Sequence, residues 1–84
     1  MPKSAVYTVT TSAAIIVPAE IGDQMAYLHS ASGAVYIGGA DLTAANGYRL
    51  DNGDKLSLMV GDHQALYAVT SSGTATLYVL SQVN

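Results

Sequence analysis

The 84-residue chain contains no cysteine, no tryptophan and no phenylalanine. Without cysteine it cannot form a disulfide staple. A structural zinc site is nearly excluded, because only His29 and His63 remain as soft ligands. Charge is scarce too. Charged residues make up 11%, against about 25% in an average soluble domain. The only fixed cations are Lys3, Arg49 and Lys55. Nucleic-acid binding needs several Lys or Arg contacts to phosphate, and three scattered cations supply no basic patch. Polybasic attachment to a membrane fails for the same reason. Long apolar runs are missing: Ala13 to Pro18 falls far short of a spanning helix. Met1-Pro2-Lys3-Ser4 leads into no apolar segment of the secretory type. The expectation is a protein made and used without export, with no nucleic-acid and no membrane partner.

One domain over residues 1–84 is the count this length allows. Such a domain buries only about 60% of the surface its unfolded chain exposes. Small folds usually add disulfides, a metal or self-association. The first two are removed by composition, which leaves oligomerisation or docking onto a larger assembly.

What the chain does contain is strand-forming. Val, Ile, Thr and Tyr are abundant, and turn residues recur at short intervals. Strands are expected near residues 5–10, 13–17, 24–29, 34–38, 55–60, 64–69 and 74–83, with an eighth short piece at 48–50. Residues 41–46 have room for one helical turn. Asn46-Gly47 and Asn52-Gly53 suit turns with positive φ. Ser30-Ala31-Ser32-Gly33, Gly61-Asp62 and Ser71-Ser72-Gly73 read as tight hairpin loops. The fold class is therefore all-β: a small antiparallel β-sandwich or jelly-roll-like barrel of about seven to eight short strands. Residues 1–17 could serve as an extended N-terminal arm that adds a strand to a neighbour. Tyr27–Gly33 and Tyr67–Gly73 echo one another at an offset of 40 residues, as two similar turns or two related hairpins.

Alternation along the strands separates their faces. Leu56, Leu58 and Val60 lie opposite Lys55, Ser57 and Met59, which makes a one-sided strand. Other strands are apolar on both sides. Val6 lies opposite Tyr7 and Val9; Tyr67 and Val69 lie opposite Leu66 and Ala68; Tyr78 and Leu80 share the less apolar face of the last strand. A two-layer sandwich cannot cover both faces of every strand, and exposed apolar area of this kind marks interfaces. Val6, Tyr7, Val9, Tyr27, Tyr36, Tyr67 and Tyr78 are the interface candidates.

Catalytic candidates are poor. Asp51 and Asp54 share one Asn-Gly turn, which does not place two carboxyls across a sugar. No Gly-x-Ser-x-Gly elbow accompanies either histidine. Gly38-Gly39 follows a strand but begins no phosphate-binding loop, and reads as a bend. No enzyme activity, cofactor or metal is expected.

The stretch Ala34-Val-Tyr-Ile-Gly-Gly-Ala-Asp-Leu-Thr-Ala-Ala-Asn-Gly-Tyr-Arg-Leu-Asp-Asn-Gly-Asp-Lys-Leu-Ser-Leu58, followed by Leu66-Tyr-Ala-Val-Thr-Ser-Ser-Gly-Thr-Ala-Thr-Leu-Tyr-Val-Leu80, resembles small all-β virion proteins of tailed bacteriophages. These are the head-decoration and head-fibre proteins. The shared pattern is a strand ending in Gly-Gly, an Asp and Thr, Asn-Gly, a Leu, and a closing Ser-Gly-Thr segment, over half to two thirds of the chain. The family's strands often end on a basic residue, whereas this chain closes on Ser81-Gln82-Val83-Asn84. The resemblance implies a non-enzymatic capsid decoration protein located in the virion. It would act as a homotrimer or other closed oligomer, with the phage major capsid protein or another virion protein as partner. The alternative is a carbohydrate- or surface-binding β module of a fibre or spike. Such a module would cluster tyrosines on one exposed face, whereas a decoration protein would bury them between subunits.

Overall fold

The computed structural model describes residues 2–83; Met1 and Asn84 of the expected single domain lie outside the described residues. The eight strands are β1 (Pro2–Val9), β2 (Ala14–Val17), β3 (Gln24–Ser32), β4 (Val35–Gly38), β5 (Tyr48–Leu50), β6 (Lys55–Val60), β7 (Leu66–Val69) and β8 (Ala75–Val83). They form two antiparallel four-stranded sheets. The first has the order β1-β8-β3-β6 and the second β2-β7-β4-β5. Eight strands shared out in this way make a small jelly roll.

The loops expected to close hairpins do something else. β3 and β4 lie in different sheets, as do β6 and β7, and β7 and β8. Ser30–Gly33, Gly61-Asp62 and Ser71–Gly73 are therefore crossovers between layers. Of consecutive strands, only β4 and β5 pair with each other. Their connection, residues 39–47, holds the single helical turn: the N–H of Gly47 donates to the carbonyl of Thr43 at 3.0 Å. Crossing between layers lets strands of both sheets turn apolar side chains into one shared interior.

That interior collects Val9, Ile16, Val17, Ala26, Leu28, Val35, Ile37, Leu50, Val60, Leu66, Ala68, Ala75, Leu77 and Val79. Fully burying a side chain such as Leu28 or Leu77 contributes about 1.5–3 kcal/mol. The buried polar side chains are partnered. The Gln24 amide donates to the Pro18 carbonyl at 2.9 Å, and no buried side-chain nitrogen or oxygen among the described residues lacks a partner.

Two crossovers share one device. The Ser30 hydroxyl donates to the Gly33 carbonyl at 2.8 Å, and the Thr70 hydroxyl to the Gly73 carbonyl at 2.8 Å. Gly33 and Gly73 both take positive φ, 73° and 66°. The sequence echo at an offset of 40 is thus a repeated turn, one in each direction between the sheets. The two Asn-Gly pairs differ. Gly53 has φ 88° as expected, but Gly47 does not have positive φ. Gly47 is required by close approach: a Cβ there would stand 2.6 Å from the Tyr36 Cβ and 2.7 Å from the Leu42 Cδ1.

The segment expected as an arm is divided between the layers. Residues 2–9 form β1 and pair along their whole length with β8, and 14–17 form β2 against β7. The alternation that points Tyr7 and Val9 inward accounts for this placement.

Candidate functional site

The two outer faces of the sandwich are treated differently. On the second sheet, the 39–47 connection folds back over the strands. Leu42 is buried, and its side chain fills the space beside Gly38 and Gly47, next to Tyr36. Asn46 fastens this cover: its Oδ1 accepts the Thr43 N–H at 2.8 Å and its Nδ2 donates to the Asp41 carbonyl at 3.2 Å. Gly38 keeps β4 open for Leu42, a role beyond the bend expected at Gly38-Gly39.

Among the described residues, the outer face of the first sheet has no such cover. The strand register lines its outward residues into rows. One row is Ser4, Leu80, Tyr27 and Ser57, and the next is Val6, Tyr78, His29 and Lys55. A third, towards the other end of β3, sets Gln82, Met25 and Met59 side by side. Val6 is 62% exposed, Tyr27 48%, Tyr78 46% and Leu80 42%. The imidazole of His29 stacks on the Tyr78 ring, with centroids 6.1 Å apart and planes at 29°. The first two rows enclose a shallow groove of about 810 Å³. Its lining includes Lys55 and His29 and no carboxylate.

The seven interface candidates separate accordingly. Val6, Tyr27 and Tyr78 come together at the groove. Tyr36 and Tyr67 are half-buried on the second sheet. Val9 is 3% exposed and belongs to the core, and Tyr7 packs against that core; neither is presented on the outer face. The one-residue alternation of an edge strand decides this: Val6 faces outward and Val9 inward. Sequence reasoning missed Leu80 and Met59 at this surface, although their outward phase was legible. It also missed Ile21, which is 83% exposed in the β2–β3 crossover.

That crossover is tied to the neighbouring β6–β7 turn by hydrogen bonds. The Gly22 N–H donates to the Asp62 carboxylate, and the Asp62 N–H to the Asp23 carboxylate at 3.0 Å. The His63 N–H donates to the Glu20 carbonyl at 2.9 Å. Lys3 Nζ lies 3.3 Å from Glu20 Oε2. His63 itself has φ 62° and its Nδ1 lies 3.0 Å from Asp62, so it is a turn residue. Asp51 and Asp54 close the β5–β6 turn: the Asp54 carboxylate accepts the Asp51 N–H at 2.9 Å. Arg49 Nε donates to Asp51 Oδ1 at 2.6 Å, and that hydrogen bond and the neighbouring charge raise the guanidinium pKa above its ordinary value. Lys3 and Arg49 thus have ion-pair partners. Among the described residues Lys55 has none. Among these residues, too, no group of three metal-ligating side chains comes together.

No protein-family model and no curated protein matches the chain. Among solved structures it is similar to a protein of Bacillus endospore appendages, described as a novel family of disulfide-linked pili. The likeness has a TM-score of 0.71 at 21% identity and covers 96% of this chain and 81% of that one. It establishes a common fold.

Proposed function

We propose that this chain is a non-enzymatic structural building block that associates with copies of itself in a larger particle or fibre. The observation that carries the reading is the uncovered apolar face of the first sheet, built from Val6, Tyr78, Leu80 and Tyr27. The second sheet shows that this chain can cover an outer face with its own loop; the first is left for a partner. The same fold in a pilus protein of endospore appendages supports the reading. That protein's family is described as disulfide-linked. This chain has no cysteine, so its own assembly would rest on non-covalent contacts.

The finer form is a decoration-type subunit of a phage particle. It would be made in the host cytoplasm, act as a homotrimer or other closed oligomer, and bind the major capsid protein. The sequence resemblance supports that form. A second reading, a carbohydrate-binding module, is favoured by two half-exposed tyrosines on one grooved face. Light scattering on the purified chain over a dilution series tests the first reading. A mass that rises with concentration to a multiple of the 8.6 kDa chain is expected. A monomer at every concentration overturns it.

A further inference from the structure

The groove is apolar with a lysine at its edge, and the β2–β3 crossover presents an exposed apolar side chain near acidic residues. Ile21 is the most exposed large apolar side chain among the described residues, at 83%. It stands at the tip of a loop pinned by Asp62, Asp23, the Glu20 carbonyl and the Pro18 carbonyl. Holding an isoleucine rigidly in water is unfavourable in a monomer. The same rigidity makes it a preorganised knob, because little chain entropy is left to lose on binding. The same crossover region carries three acidic residues: Glu20 lies against Lys3, Asp62 against His63, and Asp23 accepts the Asp62 N–H. The groove has the opposite character. It is apolar, lacks carboxylates, and has at one end Lys55, without an ion-pair partner among the described residues, beside His29. Asp54, the acid nearest Lys55 in sequence, is engaged with the Asp51 N–H.

We infer that the Ile21 loop of one copy seats in the first-sheet groove of a second copy, with Asp23 and Asp62 facing Lys55. This inference rests on the self-association proposed above and names its contact. On a single chain, His29 lies six residue steps along β3 from Asp23, about 20 Å at roughly 3.3 Å per step. The knob therefore lies beyond the start of β3 and the groove over its middle, and each copy keeps one of each free. The contact is heterologous: it closes into a ring if the rotation between copies allows and extends as a fibre if it does not. A single knob in a single groove is a small interface, so each contact is weak and the assembly depends on concentration.

Three proteins test it: the wild type, Ile21→Ser, which removes the knob, and Leu80→Glu, which places a charge in the groove. Both positions are solvent-exposed, and circular dichroism confirms that each variant folds. In sedimentation velocity the wild type should associate, and each variant alone should associate about tenfold or more weakly, as expected for losing one buried isoleucine. An equimolar mixture should form a 1:1 dimer and nothing larger, because Ile21→Ser retains the groove and Leu80→Glu retains the knob. If Ile21→Ser assembles as the wild type does, the knob-and-groove contact is overturned while self-association stands. If the two variants fail to pair although the wild type associates, the contact is likewise overturned. If the wild type is monomeric throughout, the self-association reading itself falls, and this contact with it.

Discussion

The hydroxyl of Thr70 donates to the carbonyl of Gly73 at 2.8 Å, inside a turn that carries the chain from the second sheet to the first. Ser30 and Gly33 repeat the bond in the opposite crossing, also at 2.8 Å. Both hydroxyl residues are buried and both glycines have positive φ. Removing either hydroxyl leaves a turn carbonyl without its partner. Ser30→Ala and Thr70→Val are each expected to cost about 1–2 kcal/mol. In a domain of this size that lowers the melting temperature by roughly 4–8 °C per kcal/mol. Thermal unfolding by circular dichroism measures it; unchanged melting in both variants would remove the role assigned to these bonds.

Gly47 and Gly39 make a contrast within one loop. A methyl group at Gly47 meets the Tyr36 Cβ at 2.6 Å and Leu42 at 2.7 Å, whereas at Gly39 its nearest neighbour is Asp41 Oδ1 at 3.7 Å. Gly47→Ala is expected to destabilise by about 1–3 kcal/mol through overpacking. Gly39→Ala should be neutral, or stabilising by up to about 1 kcal/mol through a restricted unfolded chain. Urea midpoints of the two variants decide the matter. Equal midpoints would mean that the loop does not hold Leu42 against β4.

Val6 and Val9 lie three residues apart on one edge strand and are 62% and 3% exposed. Val9→Ala should cost about 2 kcal/mol, by lost burial and a residual cavity. Val6→Ala should stay within about 0.5 kcal/mol. A reversed order of stabilities in chemical denaturation would mean that β1 is shifted by one residue in its pairing with β8.

The uncovered face should bind apolar dyes. Anilinonaphthalene sulfonate fluorescence is expected to rise with the folded protein, and to fall when Tyr27 and Leu80 are both changed to Ser. Both side chains are about half exposed, so each change should cost about 1 kcal/mol, and circular dichroism checks that the double variant is folded. Undiminished dye binding by the folded double variant would place the accessible apolar surface elsewhere.

Much of the architecture follows from residue order alone. Alternation in Lys55–Val60 and along β8 separates Leu56, Leu58, Leu77 and Val79 from their outward neighbours, because side chains in a strand point to opposite faces in turn. All eight strands lie where strand-forming residues and turn residues alternate. The absence of cysteine excludes a disulfide in the same direct way. Alternation does not say which strand lies alongside which. That is why Ser30–Gly33 and Ser71–Gly73, short enough for hairpins, proved to be crossings between sheets. Nor can it say whether an outward apolar residue is covered. Leu42 and Tyr78 are both large residues on the outer side of a sheet, yet one is buried by its own loop and the other lies in an open groove. Covering an outer face requires a connection to fold back across it. The close approach at Gly38 and Gly47 grants this to the second sheet, and only the packed tertiary structure leaves the first sheet without it.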